Sequence, residues 1–253
     1  MLRRSLWRGL ALIAGLSSRL LALGRKTPLL ACSTSLHAER ELWGRGFTHV
    51  IGVDEAGRGP LAGSVYAAAV CIPVGWLAQI EVDDSKRLSE KKRDDIYQRI
   101  VADSAIKFAV ASVDSQRIDE VNILEASMEA MSEAVRRLCE MHSFPLDQSY
   151  VLVDGNRAPK LPLKSKSIVG GDASVYSIAM ASIIAKVSRD QSMRDYDKVF
   201  PQYGFAKHKG YPTKEHRYAL HKHGPCAIHR LSFKPLKGRA ATPPIDLESS
   251  EVE

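Results

Sequence analysis

Acidic residues recur at one kind of position in this sequence. Asp54 and Glu55 directly follow the apolar run Val50–Val53, Asp154 follows Tyr150–Val153, and Asp172 follows Ile168–Val169 after two glycines. The first two runs have the length and composition of strands, the third is a short strand, and each closes in a glycine-containing polar turn: Gly57-Arg58-Gly59, Gly155-Asn156-Arg157 and Gly170-Gly171. Adjacent side chains on a strand point to opposite faces, so Asp54 and Glu55 converge only where their strand ends and twists into its turn. If the three strands are neighbours in one sheet, four carboxylates crowd together and raise one another's pKa unless divalent cations neutralise them. Oxygen donors with no soft partner select Mg²⁺ or Mn²⁺ over zinc. Two such ions about 3.5 to 4 Å apart clamp a phosphodiester, one activating water and the other stabilising the leaving oxygen. A single acid pair reads more readily as a solvated strand cap, and it is the threefold recurrence that points to chemistry.

Zinc chemistry is a competing reading of His208, His216, His221, His223 and His229. They lie scattered among lysines without a matching cysteine or carboxylate pattern, so contact with solvent or phosphate is the expected role. The four cysteines, at 32, 71, 139 and 226, form neither a CxxC pair nor a dense framework. A disulfide scaffold and a cysteine-rich zinc module are both poor fits to that spacing, which suits a reducing compartment.

The formal charge of +7 is unevenly spread. Residues 46–159 hold twelve bases and eighteen acids, net −6, whereas residues 160–239 hold sixteen bases and five acids, net +11. A basic C-terminal third beside an acidic body is the arrangement a metal-dependent nuclease needs for a polyanionic substrate. No apolar run reaches the roughly 18 to 20 residues of a membrane helix, so no membrane partner is expected.

The elements that must position the acids form a mixed α/β pattern. Strands are predicted at His49–Val53, Ser64–Ile72, Lys107–Val113, Ser149–Val153 and Ser167–Val169. Helices are predicted at Ser89–Ala102, at Ile123–Met141, at Ala173–Val187 with a charged continuation to Lys198, and at Thr213–His223. The 253 residues show no repeat and no second core, so one domain is placed at 46–238. The first 38 residues contain no acid while arginines punctuate Leu, Ala and Ser, so residues 1–45 read as an organellar transit peptide, mitochondrial or plastid. Without it the compartment would be the cytoplasm. Residues 239–253 read as an acidic disordered tail.

The segment Gly52-Val53-Asp54-Glu55-Ala56-Gly57-Arg58-Gly59-Pro60-Leu61-Ala62-Gly63 resembles the opening signature of ribonuclease HII, the bacterial-type member of the type 2 ribonuclease H family. The resemblance continues through Asp84–Leu88, Val153–Arg157, Gly171-Asp172, Ala181–Asp190, His208–Thr213 and His229–Phe233, in family order. It implies an RNase H-like fold, a central mixed β-sheet flanked by helices with a helical C-terminal extension. It also implies a monomer that cleaves the RNA strand of RNA/DNA hybrids and incises duplex DNA at embedded ribonucleotides, leaving 3′-hydroxyl and 5′-phosphate ends. By motif, Asp54, Glu55, Asp154 and Asp172 become the metal-binding acids. The turn Gly57-Arg58-Gly59 approaches the ribose 2′-hydroxyl through its backbone, Tyr211 stacks near the sugar at the RNA-to-DNA junction, and Lys86, Lys186, Lys207, His208 and Lys209 hold phosphates. Ser64 and Met180 depart from the residues more common in the family. Two rivals differ in class. A non-catalytic hybrid-binding protein would not need all four acids, and a phosphate-loop switch would need the Gly-Lys-Ser/Thr that is missing after Gly63.

Overall fold

The β-branched run after His49 forms the middle of a five-stranded sheet in the order β3-β2-β1-β4-β5. The strands are β1 (His49–Ala56), β2 (Val65–Ile72), β3 (Lys107–Val113), β4 (Ser149–Asp154) and β5 (Lys164–Ile168). β2 pairs antiparallel with both β1 and β3, whereas β4 runs parallel to β1 and to β5. This is the expected mixed sheet. The computed structural model describes residues 34–77, 80–82 and 88–238, all within one compact unit of the chain. Lys86, residues 1–33 of the expected leader and the acidic tail 239–253 lie outside the described residues.

Both faces of the sheet are covered, which is why its inner strands carry apolar or small side chains almost throughout. On one face Ile51, Val53, Ala67, Ala69, Val151 and Val153 pack against Met131, Val135 and Leu138 of α4 (Ile123–His142), which follows α3 (Ser115–Val121). On the other, Ala68, Val70 and Ile72 meet Ile183 and Ile184 of α6 (Tyr176–Val199) and Ile96 and Ile100 of α2 (Glu90–Ala102). Gly52 lets α6 lie close on β1: a Cβ there would stand 2.3 Å from the Ser177 carbonyl carbon. A third cluster joins Met193 near the end of α6 to α7 (Phe205–His208), α8 (Lys214–His223) and the segment that follows, through Phe205, Leu220, Ile228 and Leu236.

The caps explain where the predicted helices start. Ser89 accepts a hydrogen bond from the Lys92 amide, Asn122 from those of Leu124 and Glu125, and Thr213 from that of His216. Ala173 does not open the long helix. Val175 is extended, and a separate turn, α5 (Gly171–Ser174), precedes it. β5 begins at Lys164, earlier than its apolar residues suggested; an edge strand pairs on one side and needs no apolar alternation.

Residues 34–45, which the sequence reading assigned to the transit peptide, are built into the fold. They carry α1 (His37–Gly44), which buries Leu42 and Glu39. The Ser35 amide donates to the Ser174 carbonyl, and Ser35 in turn accepts from the Tyr176 amide. The Glu39 carboxylate accepts from the Ser177 amide at 2.8 Å, capping the first turn of α6. Glu39, the first acid after the acid-free stretch of 38 residues, therefore seats the longest described helix.

Candidate active site

The acids meet because of register. Parallel pairing of β1 with β4 stops at Val53 opposite Val153, so the next residues, Asp54 and Asp154, stand side by side where the two strands part. Asp172 arrives from α5, whose first turn the Asp154 carboxylate holds by accepting from the amides of Gly171 (2.7 Å) and Asp172 (3.3 Å). Asp54, Asp154 and Asp172 each bring a carboxylate oxygen within 4.8 Å of the other two, and Asp54 and Asp172 are buried.

Glu55 stands apart from this triad, and the pleat of the strand explains it. β1 does not end at Asp54. It continues to Ala56, with Asp54 opposite Ala68 and Glu55 opposite Ala67 of β2. Alternation therefore sends Asp54 to the α6 face, where the Ser182 side chain hydrogen-bonds it, and Glu55 to the opposite one. Glu55 lies 3.2 Å from the Arg58 guanidinium. The expected convergence of four acids at strand ends thus becomes three, with Glu55 at the margin, still close enough to feel Asp154.

Electrostatics mark the site. Burial, then repulsion from Glu55 and Asp154, hold the Asp54 carboxyl well above the usual carboxylate range, against hydrogen bonds from the Glu55 amide and Ser182. Burial also raises Glu55; Arg58 opposes this and Asp154 reinforces it. A cation placed among the acids relieves both burdens.

Beside the acids runs the turn Gly57-Arg58-Gly59. Gly57 has φ +101°, and a Cβ on it would lie 2.2 Å from Arg189 Nε, so only glycine fits there. At Gly59 a Cβ would meet Tyr211 Cε1 at an ordinary 3.6 Å; the fold itself does not demand glycine there, and the position faces the tyrosine. Tyr211 is 40% exposed, with Lys186 Nζ and the Arg189 guanidinium each 5.8 Å from its ring centroid. Lys186 lies one turn along α6 from Ser182 and pairs with Asp190 at 2.6 Å. Acids, turn, lysine and tyrosine are thereby connected through one helix.

The basic segment at 207–209 divides. Lys207 is exposed, 3.8 Å from Glu215. His208 is buried: its Nε2 hydrogen-bonds the Tyr203 carbonyl and its Nδ1 accepts from the Gly210 amide, which leaves neither nitrogen for a phosphate. Lys209 is also buried, donating to the Ala206 carbonyl and lying 3.4 Å from Glu90. The expectation of solvated or phosphate-contacting histidines fails for three of the five. His216 and His229 are buried with Nε2 atoms 3.0 Å apart, His229 Nδ1 accepts from the Cys226 amide at 2.9 Å, and His216 Nδ1 reaches the Tyr211 carbonyl at 3.0 Å. Such an internal chain leaves no regular spacing to read.

Three residues with no role assigned from sequence stand at the site. Ser182 holds Asp54, and two fully buried arginines, Arg189 and Arg230, lie beneath the Gly57–Ser64 loop. Arg189 sits between Ser188 and Asp190 and Arg230 between His229 and Leu231, so neither is marked out by an apolar surround. In a segment of net charge +11 they did not stand out.

A mixed sheet with helices on both faces and clustered acids where the central strands part defines an RNase H-like nuclease fold. The chain belongs to the ribonuclease HII family, whose model matches residues 51–236. It is 46% identical over 202 residues to a ribonuclease HII of Caldanaerobacter subterraneus, covering 79% of this chain and 80% of that protein. The ribonuclease H2 of Pyrococcus horikoshii superposes with a TM-score of 0.60 at 25% identity, over 74% of this chain and 95% of that one. Bst-RNase HIII, solved in complex with Mn²⁺, shares the fold at 16% identity and a TM-score of 0.57, over 78% of this chain and 70% of that one. As a ribonuclease HII the protein is a hydrolytic endonuclease of RNA/DNA hybrids.

Proposed function

We propose that this protein cuts the RNA strand of hybrids, and duplex DNA at single embedded ribonucleotides, at a two-ion centre held by Asp54, Asp154 and Asp172 with Glu55 at its edge. The observation that carries the proposal is the acidic triad itself, buried at Asp54 and Asp172, with a carboxylate oxygen of each acid within 4.8 Å of the others. An all-carboxylate donor set fits hard divalent cations, Mg²⁺ or Mn²⁺, and the raised Asp54 carboxyl is the state that a nearby cation reverses. Divalent ions held by Asp54, Asp154 and Asp172 would supply the positive charge that activates water and stabilises a leaving oxygen, the chemistry that leaves 3′-hydroxyl and 5′-phosphate ends.

The chain's own residues do the rest. Ser182 and the Glu55 amide fix the Asp54 carboxylate, and the Gly171 and Asp172 amides fix that of Asp154, so the oxygens are aimed before any ion arrives. The Gly57-Arg58-Gly59 backbone approaches the ribose 2′-hydroxyl, the one group that separates RNA from DNA at that sugar. Tyr211, exposed beside Gly59, packs on the adjoining deoxyribose. Lys186, Arg58 and the exposed Lys207 are the cations placed to meet phosphates, whereas His208 and Lys209 support the fold from within.

The test is cleavage of an end-labelled RNA/DNA hybrid with Mg²⁺, with Mn²⁺ and with chelator. Ion-dependent internal cuts in the RNA strand are expected. Tight hybrid binding without cleavage under all three conditions would establish the non-catalytic alternative instead.

A further inference from the structure

The loop from Gly57 to Ser64 turns its carbonyls inward, onto two arginines. Arg230 donates from Nη2 to the carbonyls of Gly57 (2.6 Å) and Gly63 (2.7 Å), from Nη1 to that of Arg58 (3.0 Å), and from Nε again to Gly63 (2.9 Å). Arg189 donates from Nε to Ser64 and from Nη2 to Ala62 and to Lys209, which precedes the Gly210-Tyr211 turn. Both side chains are 0% exposed.

Two buried guanidiniums whose described hydrogen bonds all go to carbonyls are costly to keep charged. Burial, followed by the nearness of Arg189, pushes the Arg230 guanidinium down to about 9, and burial lowers Arg189 as well. Leucine or methionine could fill the same volume, so what the arginines add is the direction they impose on peptide groups. In a trans peptide the N–H points opposite the C=O. With the carbonyls of Gly57 and Arg58 drawn onto Arg230, the amides of Arg58 and Gly59 point the other way, out of the loop. Neither amide takes part in a described hydrogen bond.

We infer that Arg230, braced by Arg189, is the positioning residue for ribose recognition: by pinning the carbonyls of Gly57 and Arg58 it aims the amides of Arg58 and Gly59 at a ligand oxygen beside Tyr211. Arg189 extends the same brace to the tyrosine, since its guanidinium holds the Lys209 carbonyl and lies 5.8 Å from the Tyr211 ring centroid. The inference rests on the proposal that this turn reads the 2′-hydroxyl. A purely structural clasp would stabilise the fold without affecting the choice between ribose and deoxyribose.

Arg230→Lys keeps the charge but loses the fork that reaches three carbonyls at once. The measurement is metal-free affinity for one DNA duplex carrying a single ribonucleotide and for its all-deoxy counterpart, in wild type and variant, with melting temperature alongside. A wild-type preference for the ribonucleotide that falls about tenfold in Arg230→Lys, while all-deoxy affinity holds, supports the inference. No preference in the wild type overturns the reading of the turn and the inference with it. A preference that survives in a folded variant overturns the inference alone. Should Arg230→Lys fail to fold, Asp119→Ala decides, because Asp119 accepts from the Leu231 and Ser232 amides and so seats Arg230 from the surface. The preference must fall there too, and an unchanged ratio overturns the inference.

Discussion

At Asp54 the fold holds a carboxylate whose charge is opposed by burial, by Glu55 and by Asp154 together. Asp54→Asn removes that burden, so cleavage should fall to background while hybrid binding survives and the metal-free melting temperature holds or rises. Near-normal turnover of this variant with Mg²⁺ or Mn²⁺ would contradict the metal assignment. Ser182→Ala leaves every acid in place but frees the Asp54 carboxylate to rotate, and an ion titration of its activity should show a loss of about 10- to 100-fold in apparent metal affinity or rate. Tyr211→Ala should lower cutting at a single ribonucleotide about tenfold more than cutting within a long hybrid. Equal losses on the two substrates, or a fall in melting temperature that accounts for them, would make Tyr211 a packing residue. The acids were legible because charged side chains stand out after apolar runs, whereas Tyr211, in the polar stretch 207–214, was singled out by the family resemblance. Ser182 was not, because a serine in an apolar helix looks like one more small packing residue, and His208 misled because proximity to lysines says nothing about burial.

Elements have their own tests. Glu39 of α1 caps α6, and burial raises its carboxyl above the ordinary range. Because its folded-state pKa is the higher one, its contribution to stability is fully present below the unfolded value and is lost as pH rises through the folded value. Glu39→Gln keeps an oxygen for the Ser177 amide without that cost, so it should melt at or above wild type at neutral pH. Glu39→Ala should lose about 1 to 2 kcal/mol, read by denaturant titration. A protein begun at Gly46 would lack α1 altogether and should melt lower than one begun at residue 34. The buried histidines give the opposite slope. Burial pushes His216 down to about 4 and His229 down to about 3, so their contribution is present above the unfolded value near 6.5 and is lost as pH falls through the folded ones. His229→Asn should lower the melting temperature at pH 7.5 and flatten its decline between pH 6.5 and 4. The sheet, α2, α4 and α8 could be read from periodicity and caps. α1 could not, since its buried face is short and its two acids, Glu39 and Glu41, looked like ordinary surface charges, and β5 was misplaced because a lysine-serine edge strand carries no apolar alternation.

On the scale of the whole molecule, one helix relates chemistry to recognition. α6 brings Ser182 to Asp54, Lys186 and Arg189 to Tyr211, and Met193 to the C-terminal cluster, while Glu39 fixes its first turn. The net charge of +11 in residues 160–239 is therefore not all available to nucleic acid: Arg189, Lys209 and Arg230 are buried within it. Exposed cations such as Lys164, Lys166, Lys207 and Lys222 remain to meet phosphates, and affinity for hybrids should fall with added salt accordingly. The account is tested most directly by a DNA duplex with a single ribonucleotide, the cut position mapped in the presence of Mg²⁺, Mn²⁺ or chelator. It predicts one incision beside the ribonucleotide that requires a divalent ion, leaves a 3′-hydroxyl and disappears in Asp54→Asn and Asp154→Asn. Incision that persists in chelator or in those variants, or an uncut duplex with either ion, would contradict it.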